Sequence, residues 1–326
     1  MFNTRRIYKT VSNAVDTEKK RMSKLLCLLG PTASGKTEIA IQLAQRLNAE
    51  IISVDSRQIY RQMDIGTAKP TPEEQQAARH HLIDCVDITQ PFSVADYQSL
   101  TDVAIAEIQN RGKQVLLVGG AGLYFRAIVD GLFEGPAADP SLRKRLEQEV
   151  SDQGVDVLHN RLRACDPESA ERIHPNNVIR VIRALEVYEL TGTPMSEHQQ
   201  QWQPENQRYP FIAFGLTMPR DLLYRRIEQR VDIMLANGLM AEVESLLAAG
   251  YSRESFALQS FGYKELIAYL DGKCTYVEAV EQLKQNTRRF AKRQMTWFRK
   301  DTRIEWIDRE EILDVVGYII GKIGDI

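Results

Sequence analysis

The chain has 326 residues, 43% of them hydrophobic and 26% charged, as in ordinary soluble globular proteins. Its 42 Lys and Arg residues nearly balance 44 Asp and Glu residues, for a formal net charge of −2, so any site for a polyanion must be local. The longest apolar runs span only a few residues, which excludes an integral membrane protein and gives no reason to expect a membrane partner.

The cysteines and the N-terminus indicate where the protein works. Cys27, Cys85, Cys165 and Cys274 are scattered without a C-x-x-C pair, so neither a disulfide framework nor a four-cysteine zinc site is predicted. Unpaired cysteines are typical of the reducing cytoplasm, so we expect a cytoplasmic protein. We also expect a monomer. Residues 1–24 are basic and lack an apolar core, so they are not a secretory signal. We expect them to be a disordered extension, with Met22 as an alternative start.

Strand and helix patterns alternate after this extension. Buried strands are predicted at Leu25–Leu29, Ile51–Val54, His81–Val86 and Val115–Val118. Helices are predicted at Lys36–Leu47, Glu73–Arg79 and Ser93–Arg111. The alternation predicts an α/β fold with a doubly wound parallel sheet.

The pattern changes after Gly131. Helical patterns at residues 136–154, 156–163, 167–173 and 178–190 have no strands between them. They predict a helical insertion domain over residues 131–207, closed by a Gln-rich loop at Ser196–Gln207. Phe211–Leu216 has strand character again, so residues 25–130 and 208–326 are expected to form one domain.

The C-terminal part is predicted to be mainly helical. Helices are expected at Pro219–Leu235 and Leu239–Ala249, separated by a C-cap signal at Asn237-Gly238. A long helix follows from Thr275 to Lys300, then a strand at Ile304–Ile307 and a helix at Glu310–Ile323.

The long helix separates into a packing face and a cationic face on a helical wheel. Residues 284–303 carry a net charge of +7, so the rest of the chain sums to −9. Such a concentration of charge is typical of a polyanion site. A solvated helix face and a membrane-surface helix are the alternatives.

The sequence GPTASGKT at residues 30–37 fits the P-loop pattern G-x-x-x-x-G-K-[ST] between a strand and a helix. Its backbone N–H groups would face an anion, Lys36 would add a positive charge, and the Thr37 hydroxyl would hold Mg²⁺. The fold expected is therefore a P-loop fold with a helical insertion. The carboxylate that holds Mg²⁺ in many P-loop NTPases has no counterpart, because Val115–Val118 runs into Gly119-Gly120.

Two further features follow predicted strands. Asp55 ends the second strand, where the ligand crevice of a doubly wound sheet lies, and it is either a general base or a loop cap. Gly119, Gly120 and Gly122 end the fourth strand and indicate either a ligand contact or tight helix packing.

These motifs together resemble one family, the tRNA dimethylallyltransferases. The resemblance extends from Leu25 to about Asp308. It is carried by GPTASGKT at 30–37, DSRQIY at 55–60, DIGTAKP at 64–70, HHLID at 80–84, GGAGLY at 119–124, RVIRALEV at 180–187 and FGYKEL at 261–266. Ala121 stands where the family commonly has Thr or Ser, and no histidine follows His198, so the zinc finger of eukaryotic relatives is absent.

The resemblance implies transfer of a dimethylallyl group from dimethylallyl diphosphate to N6 of the adenosine 3′-adjacent to the anticodon in tRNA. Asp55 would be the base, and Arg230 and Thr32 would complete the catalytic set. The implied diphosphate-binding residues are Gly30, Thr32, Ala33, Ser34, Gly35, Lys36 and Thr37, with Mg²⁺ on Thr37. The implied tRNA contacts are Asp55, Ser56, Arg57, Gln58, Ala121, Arg143, Ile179, Arg180, Val181, Ile182 and Arg183, and the cationic helix would add Arg288 and Lys292.

Three other functions remain compatible with the motifs. An adenylate dimethylallyltransferase would use the same site without a long RNA. A P-loop kinase would consume ATP. A non-catalytic RNA-binding protein would not need Asp55 or Arg230.

Overall fold

A parallel sheet of six strands organises residues 24–132, 135–200 and 207–324, the part of the chain that the computed structural model describes. The strand order is β3-β2-β4-β1-β5-β6, with all neighbours parallel. The strands are β1 (Leu25–Leu29), β2 (Ala49–Val54), β3 (His80–His81), β4 (Gln114–Gly119), β5 (Phe211–Thr217) and β6 (Ile304–Asp308). The predicted extension lies outside the described residues, except for Lys24.

Helices connect these strands and also form a separate group. They are α1 (Lys36–Arg46), α2 (Pro72–Ala77), α3 (Val94–Asn110), α4 (Gly122–Val129), α5 (Pro140–Gln153), α6 (Val155–Cys165), α7 (Pro167–Arg172), α8 (Val178–Thr191), α9 (Met195–Gln200), α10 (Arg220–Ala236), α11 (Leu239–Ala248), α12 (Tyr263–Leu270), α13 (Tyr276–Phe298) and α14 (Val315–Gly324). Among the described helices, none is long and apolar enough to cross a bilayer.

The central strands are buried because helices cover both faces of the sheet. All five residues of β1 are buried, which explains its uninterrupted apolar sequence. On one face, Ile39 and Leu43 of α1 join Val315 and Ile319 of α14 in a common core. The predicted α/β class with a parallel sheet is confirmed.

The chain divides into two compact units. One contains the sheet and comprises the chain up to Phe125 and from Tyr209 onward; the other is Arg126–Arg208. The second unit is helical, with a core formed by α5 to α8 around Leu146, Leu162 and Leu185. The predicted insertion, residues 131–207, falls within it.

The third strand is much shorter than the predicted His81–Val86. It ends at His81 because Leu82 and Asp84 adopt left-handed backbone angles, with φ of 60° and 56°. Val86 returns to pair with Tyr60 in an isolated bridge. The prediction of a strand over His81–Val86 was therefore wrong beyond His81, because the backbone turns at Leu82 and again at Asp84.

The loop predicted at Ser196–Gln207 begins as helix α9, which extends to Gln200, and residues 201–206 lie outside the described part. Buried Asp166 explains the helix, because its Oδ2 accepts the N–H of Ser196 at 3.0 Å while its Oδ1 caps α7 through Ser169. This cap comes from a residue 30 positions away, so the local sequence does not reveal it.

Other differences concern the C-terminal helices. Helix α12 was not predicted; it starts after Gly262, whose φ is 94° and whose N–H donates to Glu265. The last helix begins at Val315 instead of Glu310, because Asp308 binds the following turn and Asp314 accepts the N–H of Gly317. Thr275 and Glu278 form a capping box at the start of α13.

Glu50 on β2 is a buried carboxylate that binds cations from several elements. Arg111 and Lys113 approach it from the end of α3 and the following turn, and His81 Nε2 lies 2.7 Å from its Oε2. Burial alone would raise the pKa of Glu50, but the hydrogen bonds of Arg111, His81 and Lys113 lower it to about 2. His81 thus has a carboxylate partner on the neighbouring strand β2.

Candidate active site at the carboxyl end of the sheet

The P-loop curls between β1 and α1 as its glycines require. Ala33 and Gly35 have left-handed φ angles of 64° and 83°, and a Cβ on Gly30 would lie 2.8 Å from the Leu216 carbonyl oxygen. Successive N–H groups of such a loop form a concave donor surface at a helix N-terminus. The backbone therefore has the conformation expected for an anion cradle.

Lys36 lies within this loop. Its Nζ donates to the carbonyl oxygens of Gly30 at 2.9 Å and Pro31 at 2.6 Å. Burial lowers the pKa of the Lys36 amine to about 7; the nearby Arg230 charge also lowers it, and Asp55 opposes both effects. The Lys36 amine is therefore much easier to deprotonate than an exposed lysine, and a bound anion would favour its charged form.

Arg230 reaches the same region from α10. Burial lowers the pKa of its guanidinium, and Asp55 is the largest opposing influence. Both cations thus interact with the carboxylate that follows β2. The parallel sheet explains this meeting, because the carboxyl ends of its strands share one edge.

Asp55 is a loop cap, which is one of the two interpretations that the sequence left open; its role as a base stays a prediction. Its Oδ1 caps the following turn by accepting the N–H groups of Arg57 at 2.7 Å and Gln58 at 3.3 Å. Among the described residues, no hydrogen bond is made to its other carboxylate oxygen, Oδ2. One oxygen therefore fixes the carboxylate while the other remains able to accept a proton.

A cleft of about 360 Å³ joins these groups. It is lined by the loop from Thr32 to Thr37 except Ser34, by residues 55–58, by Ala121 and by Arg230. Gly30 and Ser34 support the loop from behind and do not line the cleft; Ser34 is fully buried. The structure therefore brings together the residues predicted from the P-loop, from the end of β2 and from α10.

Two arginines hold the outside of the P-loop. Arg226 Nε donates to the Ala33 carbonyl oxygen, and Arg309 Nη1 to that of Ser34, each at 3.0 Å. Neither arginine was among the predicted site residues. Arg309 directly follows β6, so its position at a strand carboxyl end was the available signal.

The glycine turn after β4 is explained by close packing. A Cβ on Gly119 would lie 2.0 Å from the Val54 carbonyl oxygen, one on Gly120 would lie 2.2 Å from Gln294 Nε2, and one on Gly122 would lie 2.0 Å from the Trp297 ring. Close packing, one of the two interpretations offered for these glycines, is confirmed; Gly119 and Gly120 also line the cleft, so a ligand contact stays a prediction.

Residues 56–58 differ in what they offer to a ligand. Arg57 stacks its guanidinium 4.3 Å from the ring centroid of Phe256, a side chain that is 66% exposed, and donates to the Phe256 carbonyl oxygen. Ser56 lines the cleft. Gln58 has both ends of its amide engaged, with Ser53 and with the carbonyl oxygens of Thr67 and Ala68. Its predicted RNA contact is therefore not apparent from its side chain.

The DIGTAKP segment is held by a carboxylate that the sequence did not indicate. Glu242 of α11 accepts the N–H groups of Asp64, Ile65 and Gly66 at 2.8–3.1 Å and the hydroxyl of Tyr263 at 2.5 Å. Tyr263 in turn leaves no room for a Cβ on Gly66. This clamp fixes the segment whose carbonyl oxygens hold Gln58.

The helical unit contains the second group of predicted tRNA contacts. Buried Glu186 accepts a bidentate pair from Arg143 at 2.8 Å and a further bond from Arg183 at 2.6 Å. Ile179 is 83% exposed and Arg180 is exposed too. Val181 and Ile182 are buried in the core of this unit, so their side chains pack inward.

The cationic helix, α13, is only partly available to a ligand. Arg288 pairs with Glu228 at 2.5 Å and Lys284 with Asp232 at 2.7 Å, both across to α10. Lys292 is exposed, and no ion pair is found for it among the described residues. The same is true of three further cations: Arg289, Arg299 and Lys300.

Fold and site together define a P-loop α/β protein whose cleft at the carboxyl edge of the sheet joins a P-loop, a carboxylate and a partly buried arginine. The family model described as IPP transferase matches residues 58–301. A Bacillus subtilis protein named tRNA dimethylallyltransferase is 50% identical over 292 residues, covering 89% of this chain and 92% of that protein. The tRNA dimethylallyltransferase 2 of Geotalea uraniireducens is 49% identical over 297 residues, covering 91% and 95%. The chain belongs to the IPP transferase family.

Solved structures agree with this assignment. The full-length tRNA isopentenylpyrophosphate transferase of Bacillus halodurans is 45% identical with a TM-score of 0.68, and the match covers 93% of this chain and 97% of that one. A eukaryotic dimethylallyltransferase acting on tRNA is 29% identical with a TM-score of 0.73, covering 91% and 77%. The resemblance inferred from the motifs is confirmed.

Proposed function

We propose that this protein transfers a dimethylallyl group from dimethylallyl diphosphate to N6 of the adenosine 3′-adjacent to the anticodon in tRNA. The observation that carries the proposal is that Asp55 faces Lys36 and Arg230 across one cleft, close enough to influence the pKa of both cations. A base and a diphosphate cradle are the two requirements of this reaction.

The reaction forms a bond from N6 to the allylic carbon and breaks the bond from that carbon to the diphosphate oxygen. The exocyclic amine is a poor nucleophile, so Asp55 Oδ2 accepts the proton that N6 loses. Charge develops on the departing diphosphate, and Lys36, Arg230 and the loop N–H groups stabilise it. The adenine has to leave its stack to reach this cleft.

Mg²⁺ fits the residues present. The Thr37 hydroxyl lines the cleft and makes no hydrogen bond among the described residues, which suits an oxygen ligand of Mg²⁺. When bound there, the ion supplies positive charge against the leaving diphosphate.

A transfer assay distinguishes this proposal from its rivals. The protein is incubated with Mg²⁺, labelled dimethylallyl diphosphate and either tRNA or AMP, and ATP consumption is followed in parallel. We expect label in the tRNA and none in AMP. Label in AMP alone would support an adenylate dimethylallyltransferase, ATP turnover without transfer a kinase, and tRNA binding without either a non-catalytic RNA-binding protein.

Diphosphate binding is expected to take up a proton above neutral pH. The Lys36 amine has a pKa of about 7 in the free protein, and a neighbouring diphosphate anion favours its charged form. At pH 8 the amine is then largely neutral before binding and charged afterwards, so binding takes up a measurable fraction of a proton per site. Calorimetry of dimethylallyl diphosphate binding in buffers with different ionisation enthalpies measures this fraction. The Lys36→Met variant should lack this proton uptake. Equal uptake by the variant and the wild type would show that the proton does not go to Lys36.

The exposed cations of α13 are expected to contribute to tRNA binding through its phosphates. Replacing Arg289, Lys292 and Arg299 together by Gln should weaken tRNA binding and reduce the slope of log affinity against log salt by about two to three. The matched control is Lys284→Gln with Arg288→Gln, which removes cations already paired with α10. Binding titrations between low and moderate salt measure both slopes. An unchanged slope in the triple variant would show a merely solvated face.

A further inference from the structure

One buried side chain joins three parts of the site and has no role in the mechanism above. Gln294 lies on the inner face of α13 and is 7% exposed. Its Oε1 accepts the N–H of Thr32 at 2.9 Å, and its Nε2 donates to the carbonyl oxygen of Gly120 at 3.0 Å. The amide therefore links the P-loop to the glycine turn after β4 through a third element.

The glycine turn is shaped to receive this helix. Gln294 Nε2 occupies the space of a Cβ on Gly120, and Trp297, one helical turn further on, occupies that of a Cβ on Gly122. The amide cannot move aside for a larger residue at position 120 without giving up its hydrogen bonds. The Gln294 amide is thus held at its oxygen by Thr32 and at its nitrogen by Gly120.

The bond to Thr32 has a direct consequence for the P-loop. Thr32 lines the cleft, and its N–H donates to Gln294, which lines the same cleft. The N–H of Ser34 donates to the Pro31 carbonyl oxygen at 3.3 Å, so Ala33 and the residues from Gly35 onward supply the anion cradle, with the left-handed Ala33 as its first bend. A loop released at Thr32 would have to be reordered each time a diphosphate binds.

We propose that Gln294 is a positioning residue that holds the P-loop, through Thr32, in the conformation that binds the diphosphate group. The expected change in KM for dimethylallyl diphosphate rests on the proposed function. The expected change in affinity for inorganic diphosphate does not. We expect an effect on the diphosphate substrate and none on the affinity for tRNA, because the exposed cations of α13 lie on the opposite face.

The first test is Gln294→Met, which has a similar volume and neither hydrogen bond. We expect the Kd for inorganic diphosphate and the KM for dimethylallyl diphosphate to rise about tenfold, while the Kd for tRNA stays within about twofold of wild type. The matched control is Gln285→Met, an exposed position on the same helix, which should leave all three values unchanged. Wild-type diphosphate affinity in Gln294→Met would overturn the proposal.

The second test avoids placing an apolar side chain at position 294. Gln294→Glu keeps the acceptor for Thr32, but it regains the donor to Gly120 only when the carboxyl group is protonated. Its diphosphate affinity relative to wild type at the same pH should therefore recover as the pH falls from 8 to 6. A ratio independent of pH would overturn the proposal. Absence of transfer by the wild type would instead overturn the proposed function, leaving the diphosphate-binding test intact.

Discussion

Asp55→Asn is expected to lower kcat for dimethylallyl transfer about 10³-fold while leaving the affinity for inorganic diphosphate at least as high as in wild type. The Asn side chain keeps an oxygen that can cap the N–H groups of Arg57 and Gln58, so the turn stays in place. It cannot accept a proton, and it removes a negative charge near Lys36 and Arg230. Single-turnover transfer rates and calorimetry with inorganic diphosphate measure the two effects separately.

The matched control for this prediction is Asp87→Asn. Asp87 makes a similar turn, accepting the N–H of Thr89 at 3.0 Å, but it does not line the cleft. This control should transfer at the wild-type rate. If Asp55→Asn lost turnover and diphosphate affinity in equal measure, Asp55 would be holding the cradle together and would not be the base.

Arg230→Gln is expected to lower kcat/KM for dimethylallyl diphosphate by about 10²- to 10³-fold. The guanidinium is partly buried and interacts with Asp55, so solvent screens its charge less than that of a surface arginine at the point where the diphosphate would develop charge. Inorganic diphosphate should also bind more weakly, because it carries the charge of the leaving group. Steady-state kinetics and direct binding measure both losses.

Arg225→Gln provides the comparison on the same helix. Arg225 is exposed and makes no ion pair among the described residues, so its removal should change kcat/KM less than about twofold. Equal effects of the two substitutions would mean that α10 contributes a diffuse positive potential and that Arg230 has no specific contact with the diphosphate.

The sheet and its P-loop were predictable because their signals are local. Leu25–Leu29 is apolar at every position because β1 is covered on both faces, and the glycines of GPTASGKT reflect angles that the loop adopts. Asp55 was found for a related reason, since the end of a parallel strand is where a ligand crevice forms.

Features that depend on distant residues were missed. Helix α9 is capped by Asp166, the DIGTAKP segment is held by Glu242, and Thr32 is fixed by Gln294, which is 262 positions away. Neither the two-residue hydrophobic period of a strand nor the 3.6-residue period of a helix reveals such distant partners. The cationic helix shows the same limit, because its wheel did not reveal that Lys284 and Arg288 are paired with α10.

The most direct test of the central claim is to identify the nucleoside that receives the label. An unmodified anticodon stem-loop with adenosine 3′-adjacent to the anticodon is incubated with the protein, Mg²⁺ and labelled dimethylallyl diphosphate, then digested to nucleosides. A second stem-loop with guanosine at that position serves as the control. We expect label only in N6-(dimethylallyl)adenosine and only from the first RNA. Label in any other nucleoside, or equal label in both RNAs, would contradict the central claim.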